Sequence, residues 1–138
     1  MALSADTTLD IKNNRSEMIV TGTVKTGATL YKHGLIMAEA TGRVTPCADD
    51  GATAKFVGLS KKGYVAGETA EMYTNIWCKI TKVAGCSAAS LEHEVYAVDD
   101  ASVTYDTTLG PAVGTLMEIV SSTVGWVWLG HVPGAHST

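Results

Sequence analysis

One pattern is written twice along this chain. It first reads Gly34-Leu35-Ile36-Met37-Ala38-Glu39, then Gly42-Arg43-Val44-Thr45, Phe56-Val57-Gly58-Leu59 and Ala70-Glu71-Met72-Tyr73. It returns as Glu94-Val95-Tyr96-Ala97-Val98-Asp99, then Ala101-Ser102-Val103-Thr104, Ala112-Val113-Gly114-Thr115 and Gly125-Trp126-Val127-Trp128-Leu129. Each block reappears after roughly 56–60 positions. Two copies are too few for a solenoid, which needs several stacked units to bury a core. The chain is therefore read as one domain that places the same β unit twice. Neither copy gathers reactive side chains, which points to a building block rather than a catalyst.

The local signals are those of short strands. Met18–Val24 mixes β-branched residues around Gly22, which predicts a strand with a bulge. Strands are also predicted at Leu35–Met37, at Val44-Thr45 before Pro46, at Lys55–Ser60, at Ala70–Tyr73 and at Ile76–Ile80. Thr74-Asn75 reads as a hairpin turn between the last two. In the second copy, Glu94–Val98, Val103–Tyr105, Ala112–Val120 and Val124–Val132 follow. Asp49-Asp50-Gly51 and Gly110-Pro111 carry turn chemistry. Val83–Glu92 is the best helical candidate, at most one or two turns. Residues 1–16 are polar and read as an extended arm with a short strand around Leu9–Ile11, or as a disordered terminus. The division expected is arm 1–16, a single β domain 17–132 and a C-terminal tail 133–138. Many short strands, glycine-rich turns (14 Gly) and almost no helix predict an all-β barrel or sandwich.

Composition narrows the function classes. With a net charge of −4 and no basic stripe, nucleic-acid binding has no electrostatic support. Cys47, Cys78 and Cys86 are odd in number and lack CxxC spacing, so neither a zinc knuckle nor a redox motif is indicated. Cys78 and Cys86 could meet across a loop, but a reduced intracellular chain is the simpler expectation. The first residues lack the basic and apolar regions of a signal peptide. No apolar run approaches the 18 or so residues that cross a bilayer.

The search for chemistry is mostly empty. His33, His93, His131 and His136 form no HxH, HxxxH or HExxH spacing. His93 lies between Glu92 and Glu94, but successive strand residues face opposite ways, so a solvated turn is the better reading than a site. Asp49-Asp50 and Asp99-Asp100 fit turn geometry, and no calcium-loop pattern surrounds them. Neither a nucleophile elbow nor a nucleotide-binding fingerprint occurs. No catalytic, cofactor-binding or metal-ligating residue is nominated. Trp126 and Trp128 share one face of a strand, which suits packing and could also form a sugar-stacking platform.

The second-copy block Glu94–Thr104, with Ala112–Glu118 and the closing Trp126-Val127-Trp128-Leu129, resembles the small decoration (cement) proteins of tailed-phage capsids, related in fold to the phage lambda head decoration protein. The first copy matches through Ala28–Met37, Val44-Thr45-Pro46 and Phe56–Leu59. The resemblance implies a β-tulip-like fold and a homotrimer or dimer. It implies the major capsid protein as partner, and residence on the outer capsid surface of the virion after synthesis in a bacterial cytoplasm. It also implies that the N-terminal arm docks on a neighbouring subunit, often by strand addition. The contact residues expected on this basis are Leu3, Thr7, Leu9, Ile11, Arg15, Trp126 and Trp128. No cofactor, nucleic acid or membrane is expected. A carbohydrate-binding module using Trp126 and Trp128, another phage surface adhesion protein, and a small hydrolase are the alternatives.

Overall fold

The computed structural model describes residues 3–12, 18–39, 41–48, 55–84, 91–105 and 111–130. The chain is all-β. Its strands are β1 (Ile11–Lys12), β2 (Met18–Thr23), β3 (Thr29–Leu30), β4 (Leu35–Ala38), β5 (Val44–Pro46), β6 (Lys55–Ser60) and β7 (Tyr64–Val65). They continue as β8 (Thr69–Thr74), β9 (Ile76–Ile80), β10 (Val83–Ala84), β11 (Glu94–Ala97), β12 (Val103–Thr104), β13 (Ala112–Ile119) and β14 (Gly125–Leu129). A five-stranded sheet has the order β2-β8-β6-β4-β5 and a seven-stranded sheet the order β1-β9-β14-β13-β11-β12-β10. A two-stranded ribbon, β3-β7, completes the fold.

The written repeat is a repeat of topology. Taken inward from the opening strand, β2-β8-β6-β4-β5 in the first sheet corresponds to β9-β14-β13-β11-β12 in the second. The register agrees residue by residue. Ala38 pairs with Val44 as Ala97 pairs with Val103. Leu59 pairs with Tyr73 as Thr115 pairs with Trp128. The β4–β6 register shifts between Ile36 and Met37, and the β11–β13 register shifts at the equivalent step, Val95 to Tyr96. A parallel Val24–Val44 bridge in the first copy becomes the parallel β10–β12 pair, Val83–Val103, in the second. His33 and Glu92, equivalent residues before β4 and β11, both have positive φ, 60° and 65°. Their N–H groups donate to Ser60 O and Leu116 O, again an equivalent pair.

The copies stack in the same orientation rather than face to face. The main core joins Leu35, Met37, Phe56 and Leu59 of the first sheet to Cys78, Val95, Leu116 and Val127 of the second. By the register above, Val95 and Val127 correspond to Ile36 and Met72, which lie on the other face of the first sheet. That other face packs on Leu30 and Tyr64 of the ribbon and on Val24. The first sheet is thus covered on both faces, which is why Leu35-Ile36-Met37 is a continuous apolar run. Among the described residues the second sheet is covered on one, and its strands alternate.

Of the two all-β arrangements expected, the sheets form the sandwich, and no closed barrel forms among the described residues. Three local expectations are corrected. β2 runs in regular register through Gly22, so no bulge lies there; the register shifts instead where β4 pairs with β6, β11 with β13 and β13 with β14. Gly22 serves close packing instead, since a Cβ would stand 2.6 Å from Val44 Cγ1. Thr74-Asn75 is not a hairpin: β8 and β9 belong to different sheets, and Asn75, at φ 57°, turns the chain from one to the other. No described residue is helical; Val83-Ala84 is a strand, and residues 85–90 of the helical candidate lie outside the described residues.

Candidate functional site: an outward tryptophan face

The seven-stranded sheet has one side left over, and alternation decides what it shows. Ile76, Cys78 and Ile80 of β9 and Gly125, Val127 and Leu129 of β14 are buried. Trp77, Lys79, Trp126 and Trp128 therefore point outward. Trp128 is directly opposite Trp77, and Trp126 is opposite Lys79. Across β13, Thr115 faces Trp128 and Glu118 faces Trp126. All three tryptophans of the chain meet on one face, each only partly buried.

The N-terminal strand closes this face at one edge. β1 pairs antiparallel with β9, Ile11 against Cys78 and Lys12 against Trp77. Ile11 turns inward and packs on the main core. Lys12 turns outward, its Nζ 4.2 Å from the Trp126 ring centroid and 5.8 Å from that of Trp77. Such a cation over an aromatic face is worth about 0.5–1 kcal/mol at an exposed position. Lys79 N–H donates to Asp10 O at 2.9 Å, and Lys79 Nζ lies 3.8 Å from Asp10 Oδ2. On the far side of the sheet, Tyr96 Oη donates to Glu94 Oε1 at 2.9 Å. Burial and then this carboxylate hold the Tyr96 phenol above its ordinary pKa. The face is aromatic toward β1 and polar toward β11.

The expected arm contacts are made within the chain itself. Leu3 N–H donates to Asp100 Oδ1 at 2.8 Å, Thr7 N–H to Lys32 O at 3.3 Å and Leu9 N–H to His33 Nδ1 at 2.8 Å. Lys32 N–H returns a bond to Asp6 Oδ1 at 2.9 Å. Leu9 packs on the main core beside Ile11. Leu3, Thr7, Leu9 and Ile11 therefore lie along their own domain here, and Arg15 lies outside the described residues. Asp100 is almost fully buried, and burial raises its pKa. Asp99 Oδ1 accepts from Ala101 N–H at 2.8 Å, the local bond of a turn.

Other sequence candidates stay apart. Glu92, His93 and Glu94 are exposed, and the His93 ring lies 6.4 Å from that of Tyr105. Asp49-Asp50, Cys86, His131 and His136 lie outside the described residues. Among the described residues no three His, Cys, Asp or Glu side chains converge on a metal-sized site. No helix long and apolar enough to cross a membrane occurs among them; that statement does not extend to strands. Sequence reasoning misses Trp77 and Lys12 as members of the face. The alternation Ile76-Trp77-Cys78-Lys79-Ile80 carries the signal for Trp77, but only the strand order places it beside Trp128.

No protein-family model matches the chain, and no curated protein matches it.

Proposed function

We propose that this chain is a virion structural protein, an oligomeric cement that binds the major capsid protein on the outer surface of a tailed-phage head. The observation that carries this reading is the tryptophan face. Its counterpart in the first copy, which includes Leu35, Leu59 and Tyr73, is packed against the second sheet. The second copy presents the same face outward, with Trp77, Trp126 and Trp128 where a docking surface draws most of its energy. A protein that binds only the expanded lattice stabilises it by mass action, and several contacts per oligomer raise the effective concentration. Such a role assigns the chain no catalysis and no cofactor.

The test is co-sedimentation with purified phage heads, unexpanded and expanded. Wild-type protein pellets with expanded heads, and Trp77→Ala combined with Trp128→Ala weakens that binding by about a hundredfold or more, as loss of two aromatic anchors should. Binding to neither kind of head refutes the proposal. A second reading has one observation in its favour: Trp126 and Trp128 are outward and flanked by Lys12, Glu118 and Thr115, which suits a sugar platform. Loss of glycan binding in the same variant, with heads never bound, would establish that alternative.

A further inference from the structure

Residues 3–12 cross both copies before they enter the seven-stranded sheet. Asp100, in the turn before β12, takes the Leu3 N–H at 2.8 Å. In the turn before β4, Lys32 N–H donates to Asp6 Oδ1 at 2.9 Å, and His33 Nδ1 accepts from Leu9 N–H at 2.8 Å. Ile11 and Lys12 then pair with Cys78 and Trp77 of β9. Among the described residues, the side-chain acceptors that tie this segment to the rest of the chain are thus two carboxylates and one imidazole. All three take up a proton in acid.

His33 is the one whose protonation removes the acceptor outright. In the imidazolium both ring nitrogens donate, so turning the ring cannot restore an acceptor for Leu9 N–H. The ring has little room to move away: His33 is 8% exposed, and its own N–H is held by Ser60 O. The charged groups on the elements around it are Lys32 beside it, Asp6 and Asp10 on the segment, Asp100 beside Gly34, and Lys61 and Lys62 after β6. Lys61 pairs with Glu71 and Asp10 with Lys79, while Asp6 and Asp100 accept from main-chain N–H groups. Among the described residues no carboxylate pairs with the imidazole, so a charged His33 is buried without a counter-ion. Burial, and then Lys32, accordingly hold its pKa below the ordinary value.

The segment also finishes the tryptophan face. It brings Lys12 Nζ to 4.2 Å from the Trp126 ring centroid, and Asp10 O takes the Lys79 N–H of β9. When it leaves, the outer edge of β9 is bared and Trp77 and Trp126 lose their cation. We propose that residues 3–12 are an acid-released strap: neutral His33 fastens it and so completes the tryptophan face, and protonated His33 lets it go while both sheets stay folded. This inference names the regulation of that face and in that respect rests on the proposed function.

Amide exchange of the full chain, corrected for intrinsic rate and followed as pH falls from neutral, tests it. In the wild type the Leu3, Leu9 and Lys79 amides lose protection together, by up to about tenfold per pH unit, the slope of one proton. The Val24 and Lys61 amides, bonded to Glu68 O and Glu71 O of the first sheet, keep theirs, which separates local opening from unfolding. His33→Gln replaces the imidazole with an amide that does not titrate, so the pH dependence vanishes. The strap then stays closed where the amide oxygen reaches Leu9 N–H and open at every pH where it does not; either result marks position 33 as the fastening. Flat protection in the wild type overturns the proposal, as does loss at Val24 and Lys61 in step with Leu9, or a His33→Gln chain that keeps the wild-type slope. Head binding is read separately: a strap that stays shut in a protein that binds heads overturns only the strap, and a strap that opens in a protein that binds none overturns only the capsid role.

Discussion

Gly58 and Gly114 occupy the same place in the two copies, and a methyl group at either should push neighbouring strands apart. A Cβ on Gly58 would stand 2.6 Å from Tyr73 O and 2.8 Å from Met72 Cβ, both on β8. A Cβ on Gly114 would press still harder on Trp128 O, the equivalent atom of β14. A carbon–oxygen contact needs about 3.3 Å, so β6 and β8 must separate by roughly 0.7 Å. The bond from Lys61 N–H to Glu71 O closes that ladder at 3.0 Å. Stretched to about 3.7 Å, it leaves hydrogen-bonding range. Losing one or two such bonds costs about 1 kcal/mol each, and overpacking the neighbouring Met72 adds about 1–2 kcal/mol. Gly58→Ala should therefore destabilise by about 2–4 kcal/mol, and Gly114→Ala by at least as much. Gly63→Ala is the control, because its new methyl meets the movable end of the Asp6 side chain and Leu30 O only at an ordinary 3.6 Å, and even with the Asp6 bond to Lys32 N–H weakened it should cost no more than about 1 kcal/mol. Urea unfolding followed by tryptophan fluorescence gives the midpoints. If Gly58→Ala unfolds at the midpoint of the control, close strand approach is not what the glycine provides.

Further outcomes follow from single groups. His33 Nδ1 can accept the Leu9 N–H only while it lacks a proton. Burial, and then Lys32, lower its pKa below 6.5. The unfolded chain is thus protonated first, so this stabilisation is complete above pH 6.5 and is lost as pH falls through the folded-state value. Amide exchange at Leu9, corrected for intrinsic rate, should accelerate on acidification through this window in the wild type, and flat protection there would refute the latch. Asp100 works in the opposite sense. Its raised pKa gives a contribution present below the unfolded value and lost as pH rises through the folded one. Asp100→Asn should therefore flatten the stability profile on the acidic side, as read by thermal unfolding at a series of pH values. Cys78, fully buried with its thiol pushed up to about 12, should resist alkylation at about pH 8 until urea unfolds the chain; labelling at the rate of a free thiol would refute its burial.

The repeated blocks of the sequence map onto repeated strands because hydrophobic period and turn residues are local properties. Phe56-Val57-Gly58-Leu59 and Ala112-Val113-Gly114-Thr115 are legible as partners, and they occupy equivalent register positions. The opening strands are not legible as a pair. Met18-Ile19-Val20 and Ile76-Trp77-Cys78 share little chemistry, because Met18 and Ile19 lie exposed at the end of their sheet and the second strand packs in the main core beside β1. Asn75 reads as a hairpin residue for a sound local reason, its tolerance of positive φ; whether the chain then returns to the same sheet is decided by distant packing. The site is legible by halves. Trp126 and Trp128 announce a shared face by their spacing, whereas Trp77 and Lys12 join it only through pairings with distant strands.

By itself, then, the sequence determined an all-β chain built from one motif used twice, because alternation, glycine placement and the repeat all act within a few residues. Only the tertiary structure decided that the copies stack in the same orientation. That stacking buries the faces of the sheets unequally: the ribbon and the second sheet cover the first sheet on both sides, while among the described residues the second sheet is covered on one. The open side collects the three tryptophans, and among the described residues β2 has no counterpart of the strand β1 that β9 receives. Both features are differences between equivalent positions, and equivalent sequences cannot reveal which of two copies will be covered.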